Sequence, residues 1–440
     1  MSHGVTLPAG RGPAGAVIPR LSAMMFLQYG IWGAWLPLLY PFLKDHRGFD
    51  ATQIGTMFSV GAVGAIFGPF IAGQIADRYF ATEKFLGISH LLGAVLVWQL
   101  ASVETYQGFL IFSVVYSLIY SPTLALTNSI SFHHLADRDR DFSKVRLWGT
   151  VGWIAVGIGI GQWLLRQHTP ATGAEDAVWA SQVAGMADAF RLSAILGIVQ
   201  GLYCFSLPNT PPSRDAQKNA WLSALGEIRY QPLLTLFLLA VPVSCIHQFY
   251  FVHTANFLGL YQFNLADSIN GIFGVGGGGL MTLGQLSEIG VIAAIPLVAK
   301  KWPRRHLLAI GLVAYALRMA LFAYVDVLPL PAILTLVLGI SMHGLCFGCF
   351  IFVAFMIVDE NTTADVRATA QNLFNLVIVG IGIIVGSFIA TGVAKWATAE
   401  GAEQPDYTQL FQVPLFASIA CLLALLVFYP ARDGKQEAGR

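Results

Sequence analysis

The chain has 440 residues, 56% of them hydrophobic and only 11% charged, with a formal net charge of +1. A soluble domain carries about 25% charged residues, so a soluble enzyme or binding module is excluded. The near balance of charge gives no hint of a nucleic-acid surface.

About 20 consecutive apolar residues cross a bilayer as a helix. Runs of this kind predict spans at 21–43, 52–76, 84–103, 107–134, 147–165, 188–207, 231–260, 271–299, 306–326, 330–358, 368–396 and 408–430. Residues 1–20 are a polar, Gly/Pro-rich tail, and the first apolar run is long enough to be retained as a span rather than cleaved as a signal. In the loop after the second span, Gly73-Gln-Ile-Ala-Asp77-Arg78 sets an acid and a base at a helix end. There they can engage a neighbouring helix terminus, which makes Asp77 and Arg78 candidates for a conformational latch. The second-half counterpart, Lys300 to Arg305, keeps the basic residues but has no acid.

The fifth span opens on Arg146-Leu-Trp-Gly-Thr150-Val-Gly-Trp153. Spacings of four and seven put Arg146, Thr150 and Trp153 on one helix face. A guanidinium, a hydroxyl and a large ring suit a polar, ring-shaped ligand. An interfacial arginine beside a packed tryptophan gives the same pattern. The longest polar stretch between spans, 208–230, divides the chain into a first half at 21–207 and a second half at 231–430, with a terminal tail at 431–440. Two six-helix halves with a path between them is a common transporter plan.

In the second half, His247 and Gln248 place a titratable ring and an amide in the seventh span. Glu288 lies mid-span in the eighth, with Gln285 three residues earlier on the same face. An acid at bilayer depth is costly and is a functional candidate by default; a structural pairing with Arg318 of the ninth span is the alternative. His343, Phe347 and Phe350 repeat the spacing of four and seven in the tenth span, where stacking on a ring and plain packing both fit. Gln28, Asn128, Gln371, Asn372 and Asn375 are further polar groups within spans. The five cysteines all fall inside spans, and the Cys346-x-x-Cys349 pair has no partners to complete a metal site. No phosphate-binding loop is present, so ATP-driven transport has no support, and neither a metal nor a cofactor is expected.

Lys and Arg favour one set of gaps: 19 of the 25 basic residues fall in the segments that share a side with the two chain ends. That bias places both termini in the cytoplasm.

The Gly73–Arg78 pattern resembles the loop signature of the major facilitator superfamily. Longer blocks carry a closer resemblance: FLQYGIWGAWL at 26–36, SPTLALTNSISF at 121–132, RLWGTVGW at 146–153, GQLSE at 284–288, LRMALFAY at 317–324 and VRATAQNLF at 366–374. Together they make the chain similar to the nucleoside:proton symporter family of that superfamily. The resemblance implies an all-α membrane protein of the major facilitator fold, with 12 transmembrane helices. It also implies import of nucleosides with protons by a monomer in the bilayer of the bacterial inner membrane. Family binding positions map onto Arg146, Thr150 and Trp153 in one half, and onto Gln248, Gln285, Glu288, His343 and Phe347 in the other. The chain departs from the family where a Phe is replaced by Trp153, a Tyr by His343, an Asn by Phe251 and an acid of the tenth span by Gly348. The last departure moves the expected proton-coupling role to Glu288 and His343. A transporter of the same fold for another polar metabolite, such as a sugar or glycoside, is the alternative reading. An enzyme is not expected, because no nucleophile–base pair is in evidence.

Overall fold

The computed structural model describes residues 14–71, 80–136, 138–211, 220–261, 271–275, 280–299, 301–363, 366–402 and 404–430. Among the described residues a helix occupies each predicted span. These are α1 (Ala14–Trp35), α2 (Ala51–Ile71), α3 (Thr82–Leu100), α4 (Tyr106–His134), α5 (Arg138–Gln167) and α6 (Ala187–Cys204) in the first half. The second half contains α7 (Leu233–Gly259), α8 (Met281–Ala299), α9 (Arg304–Ala323), α10 (Ala332–Glu360), α11 (Thr369–Ala397) and α12 (Tyr407–Phe428). Eight of the described helices are long and apolar enough to cross a membrane; α1, α2, α3 and α8 are shorter or more polar. Asp77 and Arg78 lie outside the described residues, as do 212–219 of the polar stretch.

Helix ends follow local chemistry. Thr105 accepts from the Gly108 amide at 3.3 Å to open α4, and Asp406 accepts from Thr408 and Gln409 at 2.8 and 3.2 Å to open α12. Each satisfies amides that the first helical turn leaves without partners. The chain runs up and down, so the ends at Cys204 and Leu233 share one face, here called the linker face. A short helix at Ala220–Ile228 lies there, and Glu227 accepts from the Thr363 amide and hydroxyl at 3.0 and 2.6 Å.

Packing inside each half depends on small residues, because lipid offers no hydrophobic drive between helices. A Cβ on Gly33 of α1 would lie 2.8 Å from the Trp153 backbone of α5. That close crossing sets the height and direction of the Trp153 ring. Behind it a buried network joins α1, α3 and α4: His90 Nε2 to Gln28 Oε1 at 2.8 Å, Gln28 Nε2 to Thr123 Oγ1 at 2.8 Å, and the Tyr120 hydroxyl to the Gln28 carbonyl at 2.5 Å. Gln28 therefore bridges helices. The second half has its own apolar core, which includes Phe257, Phe322, Phe350, Phe374 and Phe411.

The halves meet along α2 and α11, where Gly380 approaches Ile66, and at a backbone joint on the far face. There the Val275 amide donates to the Gly161 carbonyl at 2.9 Å, and the Gln162 side chain donates to Gly271 and Ile272 carbonyls at 3.0 and 3.2 Å. Gly274 has φ +82, and a Cβ on it would run into the Gly161 backbone. A left-handed conformation alone costs a non-glycine residue about 1–2 kcal/mol. Gly274→Ala is expected to lower the thermal unfolding temperature of the purified protein below that of Gly259→Ala, whose added methyl group meets nothing within 4 Å. Equal temperatures would show the joint to be loose.

Candidate functional site

A cavity of about 3090 Å³ lies between the halves. All eight residues selected from the sequence as ligand contacts line it: Arg146, Thr150 and Trp153 from α5, Gln248 from α7, Gln285 and Glu288 from α8, and His343 and Phe347 from α10. His247, Asn128, Gln371, Asn372 and Asn375 line it too. Gln28 does not; it belongs to the buried network of the first half.

The first-half wall around Trp153 is aromatic and carries the Arg146 charge. The Arg146 guanidinium lies over the Tyr29 ring at 4.1 Å. A cation over a ring face is attracted by the ring quadrupole, so Tyr29 holds the charge in place without neutralising it. Trp153 meets Trp32 edge to face at 5.7 Å, and Trp32 meets Tyr120 at 6.3 Å. Tyr29 and Trp32 are site-forming residues that sequence reasoning missed. Their spacing of three along α1 was the available signal.

The second-half wall is polar and layered. Gln248 donates to the Ser387 hydroxyl of α11 at 3.0 Å, which fixes the amide plane. Glu288 is 8% exposed, and its Oε2 lies 3.5 Å from His343 Nε2. On the other side of that ring, Arg318 Nη1 lies 3.2 Å from His343 Nδ1. Arg318 thus reaches Glu288 only through the imidazole, instead of pairing with it directly. The Tyr315 hydroxyl sits 2.7 Å from His247 Nδ1. The His247, Tyr250 and Phe347 rings stack near His343 at 5.4, 4.9 and 6.5 Å.

Two positions differ from simple helical reading. Phe350 is fully buried in the second-half core rather than lining the cavity. Residues Cys346–Phe352 form wide π turns, which delay the rotation of the helix and carry Phe350 away from the face of His343. Gly348 also lies off the cavity: a Cβ there would be 2.6 Å from Val291 Cγ1 of α8. An acid at this position would have to displace Val291; among the described residues, the buried acid of this wall is Glu288.

The fold and the cavity are those of a multi-pass membrane transporter of the major facilitator type. Residues 16–434 match the family described as "Nucleoside H+ symporter", and the chain belongs to that family. It is 32% identical over 381 residues to the putative nucleoside transporter YegT of Escherichia coli (strain K12), across 83% of this chain and 82% of YegT. It is 26% identical over 437 residues to the nucleoside permease NupG of the same organism, across 96% of this chain and 97% of that one. The crystal structure of NupG superposes with a TM-score of 0.74 at 24% identity, covering 93% of this chain and 98% of that one, a likeness of fold.

Proposed function

We propose that the protein imports nucleosides across the bacterial inner membrane, driven by protons, as a monomer working by alternating access. The observation that carries this reading is the convergence of Arg146, Thr150 and Trp153 from one half with Gln248, Gln285, Glu288, His343 and Phe347 from the other on a single cavity. Aromatic rings supply stacking faces for a base. Amides and Glu288 supply partners for base edges and ribose hydroxyls. The halves are 21–207 and 231–430, joined at 208–230, and they rock about this site. The linker face is cytoplasmic, in keeping with the basic residues near it: Lys84, Lys144, Arg229, Lys301, Arg304 and Arg305. Substrate and proton drive the rocking only through their differential affinity for its states.

The test is uptake of labelled uridine and adenosine into proteoliposomes, with and without an inward proton gradient. The expected result is accumulation only with the gradient, inhibited by other nucleosides and not by xylose. Equilibration unaffected by the gradient would remove proton coupling. Uptake blocked by sugars instead of nucleosides would replace the substrate.

A further inference from the structure

Arg318 is 0% exposed and does not line the cavity. Taking a guanidinium out of water costs several kcal/mol unless charge and hydrogen bonds compensate it. Here the compensation is indirect. Its carbon Cζ lies over the rings of Tyr250 and Tyr315 at 4.3 and 5.1 Å. Its Nη1 reaches His343 Nδ1, while Nε and Nη2 have no hydrogen-bond partner among the described residues. Glu288 stands beyond the His343 ring.

The direction of these bonds is not free. A guanidinium stays protonated in a protein and only donates. The contact at 3.2 Å therefore makes His343 Nδ1 an acceptor. A neutral imidazole that accepts at Nδ1 carries its hydrogen on Nε2, and Nε2 is the atom that faces Glu288 Oε2 at 3.5 Å. A second proton on Nδ1 would meet the guanidinium N–H head on. The other groups facing the ring add no negative charge: His247 and Tyr250 stack on it from α7, the Tyr315 hydroxyl of α9 is engaged with His247, and Cys346 is buried on the same helix.

We infer that Arg318 is a positioning residue that locks His343 as a neutral N–H donor aimed at Glu288, so that Glu288 alone takes the coupling proton in the second half. The use of this lock rests on the proton-symport reading. With Glu288 ionised, its charge balances Arg318 across the imidazole. On loading, an O–H bond forms at Glu288 as a hydronium ion from the aqueous side gives up its proton and leaves water. His343 Nε2 then loses its charged acceptor, and the freed carboxyl can donate to substrate. His343 changes partner strength in this cycle but not its own protonation.

Nitrogen NMR of histidine-labelled protein in lipid nanodiscs tests the lock directly, with the His343 signal assigned by its loss in His343→Gln. The expected result is an unprotonated Nδ1 from pH 5 to pH 8 in the unmodified chain. Arg318→Met fills the space without a donor, and there His343 should lose its fixed tautomer and titrate in that window. Arg318→Lys restores a donor and should restore the fixed form. Appearance of Nδ1–H in the unmodified chain, or an Arg318→Met signal identical to it, overturns the inference. If Arg318→Met does not fold, the unmodified chain and Arg318→Lys still decide. Uridine uptake in the same preparations separates the two claims. A fixed tautomer in a protein that does not couple uridine to protons overturns symport and leaves the lock. Proton-coupled uptake with a titrating His343 does the reverse.

Discussion

Glu288→Gln is expected to abolish concentrative nucleoside uptake while nucleoside exchange persists at a reduced rate. Glutamine keeps the shape, and its carbonyl still accepts from His343 Nε2. It cannot take a proton. A gradient of one pH unit stores about 1.36 kcal/mol per proton, enough for about tenfold accumulation with one proton per nucleoside. The variant should fall from that ratio to simple equilibration across the liposome membrane, and counterflow of labelled against unlabelled uridine should remain measurable. Gradient-driven accumulation in the variant would remove Glu288 from the coupling role. Stability gives a second readout. Removing one member of a buried charge pair costs about 3–5 kcal/mol, and the intervening imidazole softens this. Glu288→Gln should therefore unfold at lower temperature, and the double variant with Arg318→Met should recover part of the loss. Strict additivity of the two substitutions would show that the charges do not sense each other through His343.

What could be read in advance follows from which physics is local. Bilayer thickness sets helix length, so the apolar runs predicted a helix in every span. Spacing on one helix predicted which side chains share a face: Arg146, Thr150 and Trp153 line the cavity together, as do Gln285 with Glu288 and His343 with Phe347. The same rule put Phe350 on the face of His343 with stacking and packing both open, and the structure gives packing, because the π turns at Cys346–Phe352 break the period that the rule assumes. Contacts between helices were out of reach. Nothing local says that His343 stands between Arg318 and Glu288, that Ser387 holds Gln248, or that Gln28 turns into a network with His90 and Thr123. Each depends on how closely two helices approach, and that is decided by residues with no side chain to notice.

Gly344 is where that dependence is strongest, and Gly344→Val carries the second large expected effect. A Cβ at this position of α10 would lie 2.5 Å from the Ser287 carbonyl oxygen and 2.7 Å from the Glu288 amide nitrogen of α8. These neighbours are backbone atoms and cannot rotate aside. The Gly344 amide also donates to Ser287 Oγ at 3.0 Å. One turn away, a Cβ on Gly284 would stand 3.0 Å from His343 Cβ. Two glycines, one from each helix, thus flank the Glu288–His343 pair and hold its partners at 3.5 Å. Overpacking a well-filled interior costs about 1–3 kcal/mol, and a valine against fixed backbone belongs at the upper end. It has to separate α8 from α10, so the variant should lose thermal stability and proton-driven uptake together. Gly290→Ala on α8 is the matched control, since its methyl group meets nothing within 4 Å. Ser287→Ala removes this hydrogen bond and the one its hydroxyl donates to the Gly284 carbonyl, a loss of about 1 kcal/mol each, without adding bulk, and should keep uptake. A Gly344→Val protein that unfolds and transports like the control would mean that α8 and α10 do not touch at this point. The distance between Glu288 and His343 would then have to be set by something other than the helix crossing.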